Sequence, residues 1–545
     1  MWIPVGRRER LTRLLSSPWW RGVAALVAGA LPVFVFPAPG LWWFAYVALV
    51  PWLLLVRAAP TARRALLDGW LGGTGFMLAV HHWLLPNLHV FLIVVAALLG
   101  LLWAPWGWLV RLMLGGQPPS ARAAASLAVL PSAWLMVELV RSWEGLGGPW
   151  GLLGASQWQV PVALRFAALG GVWLVSLLVV AVNTGVAVLL AVPTARVPAV
   201  AGLCACAVAV GAVWLGSRGP GPSDGEFRIA VVQPGVVQGP ERRFDRSEQL
   251  TRELSDRSLD LVVWGESSVG MDLAARPDLS ARLAALSRAV GAEILVNVDA
   301  RRPAGTGVGT AEGEGGIFKS SVLVGPRGLT GDRYDKMRLV PFGEYVPARA
   351  LLGWATSVGR AAGEDRMRGS RRVVMTVPDG QAGTAVRVGP LVCFESAFPD
   401  MSRRLVRDGA EVLIAQSATS TFQSSWAPAQ HASLAALRAA ETGRPMVHAT
   451  LTGVSAVYGP DGGRVGERLG TGDSAAAVYV VPLVHGTTPY VRLGDWPVYG
   501  ALAVLFALCL TGMVRRVVRS LRRPAPAPPA RSARTAHGSA VRPRR

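Results

Sequence analysis

Charged side chains are scarce in this chain. Asp, Glu, Lys and Arg make up 16% of its 545 residues, whereas soluble globular domains carry about 25%. Hydrophobic residues reach 51%; they concentrate before position 217 and near 497–514, and the segment between has ordinary polarity. This distribution disfavours a wholly soluble protein and predicts a membrane protein that carries one polar domain.

Acidic residues are scarcer than basic ones, with 34 Asp and Glu against 55 Lys and Arg and a formal charge of +21. Such an excess can indicate a nucleic-acid-binding protein. Here the arginines concentrate at the two ends and in short gaps between apolar runs, which is the distribution that fixes membrane orientation. We therefore expect no nucleic-acid partner.

Cysteine is also rare. Three of the four cysteines, Cys204, Cys206 and Cys509, lie in apolar runs, so a disulfide framework is not expected. Cys204 and Cys206 would face different directions on a helix and lack neighbouring histidines, so they predict no metal site. We expect neither a metal nor a cofactor, and Cys393 remains as the cysteine available for chemistry.

Eight apolar stretches approach the length of roughly 17–25 residues that a helix needs to cross a bilayer. They lie at 21–37, 41–57, 65–85, 89–114, 123–143, 163–192, 197–216 and 497–514. Alternate gaps between them are basic, beginning with Arg7 and Arg8 before the first stretch and ending with Arg515 and Arg516 after the last. This bias predicts that both termini are cytoplasmic, so that seven spans deliver the polar segment to the opposite side.

The chain is predicted to have four parts. They are a membrane domain of seven helices over 1–216, an extracytoplasmic domain over 217–496, a returning helix over 497–514, and a basic, Pro- and Ala-rich, disordered cytoplasmic tail over 515–545. Within the polar domain, short β-rich runs such as 227–232 and 446–450 alternate with helix-like stretches such as 279–290 and 427–441. This alternation predicts a layered α/β fold.

Three runs of the polar domain carry chemically capable side chains near strand ends, where α/β domains place active sites. These side chains are Glu266, then Lys336 and Glu344 in the run 334–347, then Cys393 and Glu395. A thiol reacts as its thiolate, so a catalytic cysteine needs a base such as Glu266 or a nearby cation such as Lys336. The ammonium and the backbone N–H of Phe394 could stabilise the oxyanion that forms when Cys393 attacks a carbonyl. Together these residues favour acyl transfer.

Each of these residues also has a structural interpretation. A single cysteine at the end of a buried strand is more often packing filler, and an isolated Glu or Lys is usually a solvated surface charge. The run 334–347 is far richer in specific residues than a loop requires, and the three motifs follow one another in the order Glu, Lys, Cys. Their combination favours one catalytic site over three unrelated structural residues.

Four motifs indicate a particular protein family more specifically than the overall composition does. They are Trp264-Gly-Glu266, Tyr334-Asp-Lys336, Pro341-Phe-Gly-Glu-Tyr-Val-Pro347 and Cys393-Phe-Glu395. Together they resemble the apolipoprotein N-acyltransferase branch of the nitrilase superfamily. The similarity extends to the membrane spans, to the loop 148–157 and to the segment 440–445, whereas the segment 417–426 departs from the family's usual Asn-Asp-x-Trp-Phe.

The resemblance implies a polytopic α-helical membrane domain with an inserted αββα sandwich in the bacterial plasma membrane. It implies a triad of Glu266, Lys336 and Cys393, with Glu344 and Glu395 as supporting carboxylates. In the implied ping-pong reaction, Cys393 takes an acyl chain from a phospholipid as a thioester, and the amine of a diacylglyceryl-cysteine lipoprotein then accepts it. The expected partners are therefore phospholipid, lipoproteins and membrane lipid, and a monomer is expected.

Three alternatives differ in class. A membrane-bound amidase or hydrolase of the same superfamily would pass the acyl group to water, and the triad does not distinguish it from an acyltransferase. A transporter with a ligand-binding polar domain is disfavoured because paired intramembrane charges and inverted repeats are not evident in the sequence. A catalytically inactive scaffold is disfavoured because all three triad residues are retained.

Overall fold

The computed structural model describes residues 17–216, 223, 225–302, 315–353, 363–378 and 383–521. The N-terminal part is helical, as its long apolar runs predict. Its helices are α1 (Pro18–Ala30), α2 (Val50–Arg57), α3 (Ala62–Val80), α4 (Leu85–Leu88), α5 (Phe91–Gly100), α6 (Trp103–Leu114), α7 (Ser120–Arg141), α8 (Pro161–Ala191) and α9 (Arg196–Gly216).

Five helical segments of the described chain are long and apolar enough to cross a membrane. They are Pro18–Val35, Ser120–Arg141, Pro161–Ala191, Pro193–Gly216 and Trp496–Val514. A sixth results if α5 and α6, which are bent by 41° at a short break, count as one span. The other two predicted spans correspond to the shorter apolar segment Trp42–Arg57 and to α3, which carries charged residues. A helical membrane domain is confirmed, and the count of eight spans stays a prediction.

Two carboxylates inside this membrane half are fully buried and have polar partners. Asp68 on α3 accepts hydrogen bonds of 2.8 Å from Arg21 on α1 and from Arg64 one turn earlier. Glu138 on α7 accepts hydrogen bonds from the indole N–H of Trp134 and the backbone N–H of Leu153. Because removing a carboxylate from water is costly unless it is paired, these contacts fix how the helices meet.

The polar domain contains two six-stranded sheets. Its strands are β1 (Gly225–Gln233), β2 (Leu261–Trp264), β3 (Glu293–Arg302), β4 (Gly316–Gly325), β5 (Gly328–Asp335), β6 (Met375–Pro378), β7 (Ala385–Val392), β8 (Val412–Ser417), β9 (Met446–Thr450), β10 (Ser455–Tyr458), β11 (Arg464–Leu469) and β12 (Ala475–Leu483). The first sheet has the order β12-β1-β2-β3-β4-β5 and the second β11-β10-β9-β8-β7-β6. The central strands β1–β3 and β7–β9 are parallel, and the other pairings are antiparallel.

The two sheets pack face to face, and helices cover their outer faces. Apolar side chains from both sheets, among them Val263, Val392 and Ile414, form the layer between them. The covering helices are α10 (Pro240–Arg252) and α11 (Pro277–Val290) on the first sheet, and α13 (Pro399–Arg407) and α14 (Ala427–Thr442) on the second, while α12 (Arg349–Leu352) is a short turn in the loop after β5. This αββα sandwich confirms the predicted fold.

The second helical layer also packs on the membrane half. Side chains of α14 share one apolar cluster with side chains of α7, α8 and the loop 148–157. Helix α8 is broken at Gly170 and Gly171, whose backbone angles are not helical. The break leaves the N–H of Val172 without its helical acceptor, and this group donates to Glu441 at the end of α14 over 2.7 Å. A buried carboxylate of the polar domain thus accepts the hydrogen bond of a backbone N–H that the break in the membrane helix leaves unpaired.

The last described helices are α15 (Pro489–Leu493) and α16 (Trp496–Leu521). Helix α16 runs seven residues past the predicted span, so the prediction of disorder from 515 is wrong for 515–521. The basic residues that follow the span are good helix formers, and the first proline of the tail is Pro524. The rest of the predicted tail, 522–545, lies outside the described residues.

We expect Asp68→Asn to destabilise the protein strongly. The substitution removes the charge that Arg21 and Arg64 share, and breaking a buried ion pair from one side costs about 3–5 kcal/mol. Thermal unfolding of the purified protein in detergent should show a marked fall in Tm. Asp278→Asn, which removes an exposed pair with Arg276, serves as the control and should leave Tm near the wild-type value. Equal Tm values for the two variants would contradict the prediction.

Candidate active site

The predicted site residues meet at one edge of the sandwich. Glu266 lies two residues after β2, Lys336 follows β5 directly, and Cys393 follows β7 directly. Since the carboxyl ends of β2 and β7 approach the same edge, residues from distant parts of the sequence form one cluster. The cluster lies between the two sheets, where water is largely excluded: the side chains of Glu266 and Lys336 are 3% and 0% exposed.

Cys393 occupies a sharp turn between strand and helix. Its φ angle is +49°, in the left-handed region that non-glycine residues rarely adopt. A 3-10 helix, Cys393–Ala397, begins at the cysteine. The residue is only partly exposed and packs against the layer between the sheets. A backbone conformation of this cost at a nucleophilic side chain points to a functional constraint on its direction.

The cysteine carbonyl is held by two residues that the sequence did not reveal. The hydroxyl of Ser396 donates to the Cys393 carbonyl oxygen over 2.8 Å, and Nε2 of His431 on α14 lies 3.1 Å from the same oxygen. Nε2 of His431 also lies 2.9 Å from the Ser396 hydroxyl. Burial lowers the pKa of His431 to about 4, so the ring is neutral at neutral pH and acts here as a hydrogen-bonding group.

Glu266 is held by its backbone and by two ammonium groups. Its N–H donates to the carbonyl of Ser417 at the end of β8. Its Oε1 atom lies 2.7 Å from Nζ of Lys319 and 3.6 Å from Nζ of Lys336. Burial favours the neutral acid, but Lys319 and Lys336 outweigh it and lower the pKa of Glu266. The carboxylate is therefore ionised and can accept a proton.

The preceding Gly265 explains how Glu266 comes so close to β9. A Cβ atom at this position would lie 1.9 Å from the backbone nitrogen of Leu451. Only glycine allows the two chain segments to approach to this distance.

Lys336 and Glu344 form the second pair of the cluster. Nζ of Lys336 donates to Oε1 of Glu344 over 2.8 Å, and the other carboxylate oxygen accepts the N–H of Val340. Burial opposes the charged form of Lys336, but Glu344 and Glu266 raise its pKa above the ordinary value. Burial likewise opposes ionisation of Glu344, but Lys336 and Lys319 lower its pKa to about 2. Both partners are charged.

The thiol of Cys393 is not ionised at rest. Burial and the negative charge of Glu266 raise its pKa to about 12, and the two lysines only partly offset this effect. The sequence suggested that a base or a cation would raise the thiolate fraction, whereas this site keeps the proton on sulfur. If this thiol attacks a substrate, its proton has to leave during the attack, and the ionised carboxylate of Glu266 is a base that could accept it.

Glu395 ties the cysteine turn to the lysine loop. Its Oε1 atom accepts hydrogen bonds from the Tyr334 hydroxyl over 2.6 Å and from the backbone N–H groups of Met337 and Arg338. Its Oε2 atom accepts the N–H of Val392. Burial raises the pKa of Glu395 despite these donors. The carboxyl group fixes the distance between the two segments that carry Cys393 and Lys336.

Residues of the membrane half cover this side of the sandwich. A Cβ atom on Gly148 would lie only 2.7 Å from the ring of Phe394. The loop 148–157 therefore lies directly over the residue that follows the cysteine. Trp150 of the same loop packs edge-on against His431. The active-site edge therefore faces the membrane helices.

The unusual segment 417–426 lies on the same side. Phe422 packs edge-on against Trp83 with ring centroids 5.0 Å apart, and Trp426 packs against His82 at 4.5 Å. Trp83 in turn contacts Trp150. Aromatic rings thus connect this segment of the polar domain with the end of α3 and the loop 148–157.

The fold and the site define a class of enzyme. Residues 228–474 match the carbon-nitrogen hydrolase family, so the αββα domain belongs to the nitrilase superfamily. Among solved structures, an amidase of this superfamily from Nesterenkonia AN1 is 19% identical and covers 52% of this chain and 98% of its own. Its TM-score is 0.33, too low to add to the topology described above.

The membrane half shows to which family within this superfamily the chain belongs. Residues 28–185 match the apolipoprotein N-acyltransferase N-terminal domain. The apolipoprotein N-acyltransferase of Azotobacter vinelandii is 31% identical over 94% of this chain and 99% of its own, and that of Pseudomonas aeruginosa PAO1 is 29% identical over 92% and 98%. The chain belongs to the apolipoprotein N-acyltransferase family, and it is a membrane acyltransferase of the nitrilase superfamily.

We expect Glu395→Gln to disturb the site without touching the triad. An amide group would face backbone N–H donors, and each buried donor left unpaired costs about 1–3 kcal/mol. Tm should fall, and alkylation of Cys393 by iodoacetamide should change in rate because its turn is no longer fixed. Tyr334→Phe removes one donor but leaves the three N–H groups paired, so its effects should be smaller. A Glu395→Gln protein with the Tm and the alkylation rate of the wild type would refute the role of Glu395 in fixing the cysteine turn.

Proposed function

We propose that this protein transfers an acyl chain from a phospholipid to the N-terminal amine of a diacylglyceryl-cysteine lipoprotein, through a thioester on Cys393. The family supports the acyl acceptor, since the relatives are named for apolipoprotein N-acylation. The observation that carries the mechanism is the convergence of Glu266, Lys336 and Cys393 in a buried cluster at strand ends. This convergence supports the proposal that the three residues act together as a triad.

In the first half-reaction, sulfur attacks the ester carbonyl of the phospholipid. Glu266 takes the thiol proton as the C–S bond forms and delivers it to the leaving oxygen of the lysophospholipid as the C–O bond breaks. Lys336 and the N–H of Phe394 stabilise the negative oxygen of the tetrahedral intermediate. The products are the acyl-thioester and a lysophospholipid whose released oxygen is now a hydroxyl group.

In the second half-reaction, the lipoprotein amine attacks the thioester. Glu266 accepts a proton from the attacking nitrogen, the C–N bond forms, and the C–S bond breaks. The proton then returns to the sulfur of Cys393, so the enzyme regains its starting state. Because one nucleophile serves both substrates in turn, the kinetics should be ping-pong.

The contact between the site and the membrane half suits lipid substrates. Both substrates are held in a bilayer by their acyl chains, so a site that faces the membrane helices meets them without extracting them from the lipid. The aromatic side chains Trp83, Trp150 and Phe422 lie between the domains on this side, and tryptophan rings favour the region where acyl chains meet polar head groups. We propose that the enzyme acts as a monomer, because one chain supplies all the residues of the cluster.

We predict that incubation with a phospholipid labelled in its acyl chains will label the protein, and that hydroxylamine will release the label. Cys393→Ala should abolish the labelling because the other three cysteines lie in α9 and α16, away from Glu266 and Lys336. Cys206→Ala, which removes a cysteine from α9, is the matched control and should label like the wild type. Labelling that survives in Cys393→Ala would refute the thioester at this residue.

The acceptor distinguishes transfer from hydrolysis. When a diacylated lipopeptide is added to the labelled enzyme, we expect the label to move to the peptide amine faster than it appears as free fatty acid. The same peptide with an acetylated N-terminus should not discharge the enzyme. Release of fatty acid at one rate with either peptide would instead support an amidase-like hydrolase that uses water.

The proposed orientation places both termini in the cytoplasm and the catalytic domain outside it. In a variant whose four cysteines are replaced, Asp256→Cys should react with a membrane-impermeant maleimide in intact cells, because this position is exposed on the catalytic domain. Ala62→Cys, exposed at the first residue of α3 next to Arg63 and Arg64, should react only after lysis. The reverse pattern would contradict the orientation derived from the arginine bias.

A further inference from the structure

Lys319 enters the catalytic cluster from β4, although the sequence motifs gave it no role. Its Nζ atom lies 2.7 Å from Oε1 of Glu266, 3.2 Å from Oε1 of Glu344 and 4.0 Å from Oδ2 of Asp299. Its distance to Glu266 is shorter than the 3.6 Å that separates Lys336 from the same oxygen. Glu266 therefore has Lys319 as its closer cationic partner.

The strand register brings the two lysines together. Lys319 stands opposite Asp299 in the antiparallel pairing of β3 and β4. On its other side, the backbone N–H of Lys336 donates to the carbonyl oxygen of Lys319 over 2.9 Å. The side chain of Lys319 is 14% exposed, so its contacts with the carboxylates are shielded from water, and salt screens them little.

The charges that face this cluster balance only when Lys319 is counted. The two ammonium groups of Lys319 and Lys336 face the two carboxylates of Glu266 and Glu344 beside the neutral thiol of Cys393. Two further groups lie at the border of the cluster: Asp299, which also pairs with Arg366 at 3.2 Å, and His431, which is neutral. With Lys336 alone, two buried carboxylates would share a single cation, and such a pair retains a proton to higher pH.

We propose that Lys319 is a positioning residue that holds the carboxylate of Glu266 toward Cys393 and supplies the second positive charge that keeps Glu266 and Glu344 ionised together. This inference rests on the proposed thioester mechanism, in which Glu266 must be unprotonated to accept the thiol proton. Lys336 remains the ammonium that acts on the substrate oxygen, and Lys319 acts through the carboxylates.

The proposal predicts an alkaline shift when the charge is removed. Without Lys319, Glu266 and Glu344 lose a cation that lowers their pKa values, so one carboxylate stays protonated to higher pH. The thiol also loses a cation that lowers its own pKa. Both changes move the active protonation state toward higher pH, whereas a purely structural defect would lower the rate by a constant factor at all pH values.

The test measures the single-turnover rate of thioester formation from labelled phospholipid between about pH 3 and pH 8, which includes the range in which Glu266 should lose its proton. Lys319→Met should shift the acidic limb of this pH–rate profile upward by at least about one pH unit, and on that limb its rate should fall roughly tenfold below the wild type. Lys319→Arg, which keeps the charge, should retain the wild-type limb. Arg366→Met, which removes a neighbouring cation that contacts Asp299, is the matched control and should also retain it.

Two results would overturn the role of Lys319. One is a Lys319→Met profile that superimposes on that of the wild type, and the other is a rate reduced equally at every pH together with a lower Tm. If Lys319→Met does not fold, Lys319→Gln keeps a hydrogen-bond donor without the charge and should show the same shift. A wild-type protein that forms no thioester would refute the proposed mechanism itself, which separates that failure from a failure of Lys319.

Discussion

The site depends on charge neutrality within a buried volume. Burial alone would protonate Glu266 and Glu344 and discharge Lys336, because each charged form loses its hydration. These three groups and Lys319 remain charged because each carboxylate lies within 3.6 Å of both ammonium groups, so that the opposite charges compensate one another. The same burial raises the pKa of the Cys393 thiol, so the thiol is protonated at neutral pH. In the proposed mechanism, the ionised Glu266 is the base that takes this proton when sulfur attacks a carbonyl.

A second constraint is the way in which the catalytic domain is held on the membrane helices. The connection is polar as well as apolar: Glu441 accepts the N–H freed by the break in α8, and Arg438 pairs with Glu441 within the same buried layer. Arg403 and the indole N–H of Trp173 both bind Asp495 just before α16. Because these groups are buried or half-buried and matched to one geometry, they define how the active-site edge faces the loop 148–157.

The sequence predicted the elements whose signal is local. The apolar runs of the central parallel strands, the helix α14 and the strand-end positions of Glu266 and Cys393 are all visible in short windows. The edge strand β12 lacks a local signal because it owes its conformation to pairing with β1, about 250 residues earlier. The edge strands β5 and β11 are polar, and they take up the strand conformation in hairpins with β4 and β10. The pairing of Asp68 with Arg21 was not predictable because Arg21 lies 47 positions earlier, whereas Arg64 lies only four positions before Asp68.

Lys319 and His431 were missed for the same reason. Lys319 immediately precedes the β-rich run 320–324, where a lysine is usually a solvated edge residue, and only the register of β3, β4 and β5 turns it toward Glu266. His431 lies in a helix that is buried on nearly all sides, and its contact with the carbonyl of Cys393 depends on how α14 packs against the second sheet. The chemistry of single residues is readable from sequence patterns, whereas the balance of charges requires the assembled site.

The central claim is that sulfur of Cys393 carries the acyl group between the two lipids. The most direct measurement is mass-spectrometric peptide mapping of the enzyme after reaction with phospholipid and rapid acid quenching. The account predicts one acyl group per chain, on the peptide that contains Cys393, and its disappearance when the lipoprotein amine is supplied. An acyl group on a different residue, or an enzyme that turns over with Cys393 unmodified throughout, would contradict it.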